Sequence, residues 1–410
     1  MKLNVKFWLK ISFLNLCIVA LLGVIMRYKI GFEFPYLNQK NLQHAHSHFA
    51  FSGWVSHTLM TLMVFYLQTK ISDLNTVNYR KIIVANLICS FGMLFSFTLE
   101  GYGLTSIILS TFSIVVSYIF AYQFWRDLKR IDPDSISVDW FKTALFFNII
   151  SSFGTFYLAY MMASKNVDQD YYLSSVYYFL HFQYNGWFFF GAMGLLFGYL
   201  NLKKSEHSFY IITHNLLALA CIPAYFLSTL WLKLPNWLYV TTVLAAMTQV
   251  YAWFRFLLIV LKTRKHSFEN YPNFLRYILV FIAFSLSVKL LLQLGSTIPA
   301  ISQLAFGFRP IVIAYLHLVF LAIISLFLLF YVLSNHLILM TKKIKTGILL
   351  FSVGVVLNEM ILAIQGIASF SYTVIPYADD LLFGIALLLF FGIGYSAIQV
   401  IKKVKNNPPV

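Results

Sequence analysis

The chain is built from apolar blocks of about 20 residues that recur from one end to the other. About 20 residues, at 1.5 Å per residue in a helix, cross the ~30 Å hydrocarbon core of a bilayer. The blocks are continuous rather than alternating, which argues for helices and against an outer-membrane barrel. Only 11% of the 410 residues are charged. Soluble domains carry roughly 25%, so too little polar surface remains to cover a water-soluble globule of this size. Helices are predicted at 7–27, 44–68, 81–101, 104–125, 141–163, 173–200, 209–231, 236–261, 276–295, 310–334, 346–368 and 380–401. The third and fourth are split only by Glu100-Gly101-Tyr102-Gly103, and the one long soluble connection is 126–140, rich in Asp, Lys and Arg. The expected fold is an all-α membrane protein with about twelve transmembrane helices. It is a single polytopic domain over 1–410 with no extramembrane domain.

The formal net charge of +16 does not point to nucleic acid, because the basic residues cluster in short loops between apolar blocks. Their distribution sets orientation. With the N-terminus inside, 22 of the 30 Lys and Arg fall in inside segments. Six fall outside: Arg27, Lys29, Lys40, Lys165, Lys233 and Arg309. Both termini are therefore expected in the cytoplasm, in the inner membrane of the cell, with an even helix count and the lipid bilayer as the first partner. Lys2, Lys6 and Lys10 precede an apolar stretch without a small-residue cleavage site, which reads as a retained first helix. Cys17, Cys89 and Cys221 stand singly in apolar blocks, so neither a disulfide nor a CxxC site is expected.

An internal repeat carries the histidines. The second helix contains His48-Phe49-Ala50-Phe51-Ser52-Gly53-Trp54 and the sixth His181-Phe182-Gln183-Tyr184-Asn185-Gly186-Trp187. The tenth holds a weaker echo, His317-Leu318-Val319-Phe320-Leu321-Ala322. His181 follows His48 by 133 positions and His317 follows His181 by 136. One histidine every four helices predicts three parallel four-helix units, over approximately 1–125, 126–261 and 262–401. All three histidines fall within about 12 Å of the outer surface at 1.5 Å per residue. Gly53, Gly186 and Ala322 would let helices approach closely or leave room for a flat cofactor. For any one of these histidines the competing reading is a hydrogen bond to a neighbouring helix, as for the matched Phe and Trp it is simple packing.

His44, His46 and His48 open the second helix, and His44 with His48, one turn apart, makes a plausible metal half-site. Three imidazoles, His48, His181 and His317, with His44 or His46, would suit copper or zinc. His57 is expected on roughly the same side as His48. His207, His266 and His336 read as solvated, His214 as ambiguous. Lys289 and Glu359 lie at similar depth in the ninth and eleventh helices, and burial of a charge is costly enough to predict that they pair or line a hydrated proton path. Glu100 is a candidate proton exit or metal ligand, and equally a solvated residue. Gln43 and Gln183 are candidates to hydrogen-bond the histidines.

Twelve helices in three four-helix units, with histidines on the second, sixth and tenth, resemble the catalytic subunit of the haem–copper oxidase and nitric oxide reductase superfamily. The resemblance implies a low-spin haem b held between His46 or His48 and His317. It further implies a copper-site remnant at His181, and Arg309 near a haem propionate. The chain departs from that pattern where the seventh helix reads Ser228-Thr229-Leu230-Trp231 in place of two copper-binding histidines. It departs again where Tyr315 stands in place of the second haem's histidine. Oxygen reduction at a binuclear centre is not expected on that count. The His-Ala-His opening is also similar to a twelve-helix family linked to nitric oxide stress. The expected function is electron transfer, or redox chemistry of oxygen or nitric oxide, possible electron-donor or accessory membrane subunits being unseen in the sequence. The alternatives are a copper, zinc or haem sensing, storage or insertion protein, and a transporter.

Overall fold

The computed structural model describes residues 2–205, 207–263, 271–302 and 308–402. Twelve helical passages run through them: α1 Val5–Gly31, α2 Gln39–Lys70, α3 Val77–Glu100, α4 Leu104–Leu128, α5 Ile136–Ser164, α6 at 169–200, α7 at 208–229, α8 Asn236–Thr263, α9 Asn273–Gly295, α10 Arg309–Ser334, α11 Lys342–Phe370 and α12 Ala378–Lys402. No strand occurs among the described residues; Ser135 and Lys203 form one isolated bridge. Ten of the helices are long and apolar enough to cross a membrane, and α7, bent by 44° where Ser208–Cys221 meets Pro223–Thr229, makes up to eleven. Pro223 explains the bend, because it has no N–H to continue the ladder. The passage α6 is not among the ten; His181, Gln183 and Asn185 interrupt its apolar run.

Local chemistry starts the helices. Asn38 accepts from the amides of Lys40 and Asn41 at the head of α2, and Asp168 accepts from Asp170 and Tyr171 at the head of α6. The helices also begin and end beyond their apolar blocks, so the expected connection over 126–140 shortens to 129–135. That turn is clasped by 203–205: Ser205 donates its amide and hydroxyl to the Asp134 carboxylate, and Lys204 pairs with Asp139 at 2.7 Å.

Two compact units result, one of 1–124 with 331–410, the other of 125–330. The first division falls beside the expected repeat boundary at 125; the second falls within the third expected repeat. In the first unit α12 packs on both α1 and α11, and α2 on α3. Gly347 and Gly392 let α11 and α12 approach until a Cβ at Gly347 would lie 2.7 Å from the Gly392 carbonyl oxygen. In the second unit α5 packs along α6, and α8 on α7 and α9. Both units set buried polar groups within a largely apolar interior and show apolar side chains outside. Asn15, Asn86, Asn148 and Ser151 are buried, whereas Leu99 and Leu219 are 80% and 71% exposed. The exposed apolar side chains suit a lipid surround.

Candidate functional site

Each of the three repeated histidines is closely followed by a π-helical turn: Ala50–Ser56 begins two residues after His48, Phe182–Phe188 directly after His181 and Leu318–Ser325 directly after His317. Such turns make up well under 1% of residues and gather at functional positions. They displace carbonyls from the regular ladder, and those carbonyls need donors. In α2 the side-chain amide of Asn15 donates to Gly53 at 2.5 Å and that of Asn86 to Ser52 at 3.1 Å. The wide turn also shifts the register of the residues beyond it. The buried ring of His57, expected on roughly the same side as His48, lies against Trp8 of α1, whereas His48 meets Phe97.

The head of α2 presents half-buried imidazoles to an aromatic wall. His48 stacks on Phe97 with ring centroids 4.2 Å apart, and its Nε2 lies 3.3 Å from the Tyr102 hydroxyl. His44 meets Tyr102 edge-on at 4.6 Å. His46 points elsewhere, towards α1, where a Cβ at Gly23 would come within 3.8 Å of its ring. Glu100 closes this end of the unit by capping α4: its carboxylate accepts from the Ser106 amide at 2.9 Å and hydroxyl at 3.2 Å.

The second unit holds a connected chain of buried polar groups. The Nε2–H of His181 donates to the carbonyl of Cys221 at 2.8 Å, because a carbonyl only accepts. Its Nδ1 must then be the bare nitrogen, and it accepts from the side-chain amide of Asn185 at 3.0 Å. The other end of that amide, Oδ1, accepts from the Lys289 ammonium of α9. The bend at Pro223 exposes the Cys221 carbonyl that His181 takes: the next turn tightens, and the Tyr225 amide bonds Ile222 instead. A cavity of about 20 Å³ adjoins the chain, lined in part by Asn185, Cys221, Gln249, Trp253 and Lys289. It has room for one water molecule. The Oε1 of Gln249, buried, has no hydrogen-bond partner among the described residues.

The remaining candidates are scattered. His317, on α10, donates its Nδ1–H to the Ile313 carbonyl at 2.8 Å. Arg309 is the exposed first residue of the same helix. Glu359 accepts from its neighbour Asn358 at 3.1 Å, so the partners that the structure gives Lys289 and Glu359 are both amides. Gln183 turns away from His181 and bonds Asn148 and Ser151 of α5. Gln43 is exposed at the head of α2. His214 is a packing residue between Thr143 and Asn215. His336 is exposed and His207 partly so, while His266 lies outside the described residues. Among the described residues no three His, Cys, Asp or Glu side chains are grouped to hold a metal ion. Sequence reading missed Asn185, Cys221 and Gln249. The signal for Asn185 was its place one helical turn after His181, and for Cys221 the proline two residues on. No protein-family model matches the chain, and no curated protein matches it.

Proposed function

We propose that the chain is a haem-binding integral membrane protein of the oxidase-like kind, acting in electron transfer or in oxygen or nitric oxide chemistry. The observation that carries this reading is the setting of His317. Its Nδ1–H is committed to Ile313, so the ring is oriented and Nε2 bears the lone pair, as in histidines that ligate metals. The reading takes a second imidazole as the other axial ligand. Arg309 would meet a propionate. A haem with two imidazole ligands exchanges single electrons. The chain's own part is to aim the imidazoles and to surround them with apolar side chains. Copper at His181 is not carried forward, because both of its nitrogens have protein partners.

The same reading counts α6 and the bent α7 as crossings. That makes twelve in three four-helix units, with both termini cytoplasmic on the 22 to 6 division of basic residues. It places the chain in the inner membrane beside an electron-donating subunit. The test is a dithionite-reduced minus oxidised spectrum of protein purified in mild detergent, with metal analysis of the same sample. A six-coordinate b-type spectrum is expected, and His317→Ala should lose it while the chain still inserts. A spectrum that survives that substitution assigns the ligand wrongly. Bound metal without haem favours sensing or storage, and substrate flux with neither favours a transporter.

A further inference from the structure

The amide of Asn185 has two ends of opposite character, and they face two groups that can each carry a proton. As it stands, Oδ1 meets the Lys289 ammonium and Nδ2 meets the bare Nδ1 of His181. Were His181 charged, Nδ1 would bear a proton and demand the oxygen. The amide would have to turn over, presenting N–H to Lys289, and only an uncharged amine can accept it. We propose that Lys289, Asn185 and His181 form a site for one proton. The pair carries a single positive charge, on α9 or on α6, and the orientation of the Asn185 amide records which. Transfer from one end to the other takes a proton from the Lys289 nitrogen and adds one to His181 Nδ1, with the net charge unchanged.

Three further features fit such a site. Lys289 and His181 are 6% and 0% exposed, and a second charge in that volume would have no counter-ion among the described residues of the neighbouring elements. Among the described residues the titratable groups facing the pair are Cys221 and Tyr225 of α7 and Tyr184 of α6 itself, none of them acidic at neutral pH. The small cavity beside Lys289 admits the water through which the proton would exchange, and Gln249 Oε1 offers that water an acceptor. Such a site needs no haem.

The test uses the full chain labelled with ¹⁵N-histidine and reconstituted in lipid vesicles. Its imidazole nitrogens are followed from alkaline to acid pH, and His181 is assigned by its loss in His181→Gln. In the wild-type protein and in Lys289→Arg, a donor that keeps its charge, Nδ1 should stay bare throughout. In Lys289→Met nothing holds the amide, and Nδ1 should gain a proton on acidification. If that variant does not fold, Lys289→Gln, whose own amide can turn to accept, should show the same gain. Protonation of Nδ1 in Lys289→Arg, or a bare Nδ1 in both the Met and the Gln variants, overturns the proposal and leaves His181 a packing residue.

Discussion

The two full copies of the histidine motif share a backbone and differ in chemistry. In α2 and α6 alike the histidine is followed by an aromatic residue, a π-helical turn and a Gly-Trp pair. The residue one helical turn after the histidine is Ser52 in one and Asn185 in the other. The Ser52 hydroxyl bonds the carbonyl of His48 and leaves the ring to Phe97 and Tyr102. The Asn185 amide reaches the ring itself and carries it on to Lys289. The shared positions therefore shape the helix, and the variable position one turn after the histidine decides whether that histidine joins a buried network.

Substitutions at matched positions break or sharpen this contrast. The largest effect is expected at the variable position. Asn185→Ala strips a buried ammonium and an imidazole nitrogen of their partner together, and should cost at least about 3 kcal/mol. Ser52→Ala removes one bond to its own helix and should cost about 1 kcal/mol or less. Equal losses in detergent unfolding would mean that the polar chain adds nothing to the second copy. The glycines come next. A Cβ at Gly186 would lie 2.4 Å from Phe147 Cβ, close to the backbone of α5, whereas one at Gly53 meets the ring of Phe49 on its own helix. Gly186→Ala should cost about 1–3 kcal/mol, and Gly53→Ala less. The reverse order would show that α2 is the more tightly held.

The smallest effect concerns the loop clasp of the second unit. Hydrogen bonds from the Ser205 hydroxyl and amide, with Lys203 and Lys204 nearby, hold the Asp134 carboxyl below the usual carboxylate range. A lowered value means that the clasp contributes fully above the ordinary carboxylate range and fades as pH falls through the lowered one. Protease cleavage at 132–135 should therefore rise on acidification, and Ser205→Ala should flatten that dependence. A pH profile identical to wild type would show that the clasp does not hold the loop.

Much of this was legible before folding. Apolar block length placed all twelve helical passages, missing chiefly their extra turns, because polar helix ends carry no hydropathy signal. The histidine spacing located three positions whose backbones prove alike. The side-chain partners were another matter. Lys289 looked like half of an ion pair, and its partner in the structure is an amide 104 positions earlier. Gln183 looked like a helper of His181 and bonds α5 instead. His57 looked aligned with His48, yet its ring meets Trp8 while that of His48 meets Phe97.

The division has a physical cause. Spanning length, the polarity of loops and the residue four places along a helix are local properties, set by 1.5 Å per residue and by the hydrocarbon thickness. The sequence by itself therefore determined a helical membrane protein with its histidines at like positions. Which carbonyl a bend exposes, which way an imidazole turns and which buried donor meets which acceptor depend on helices far apart in the chain. Burial makes each of those bonds obligatory, and only the packing of α6 with α7 and α9 decided how they were satisfied.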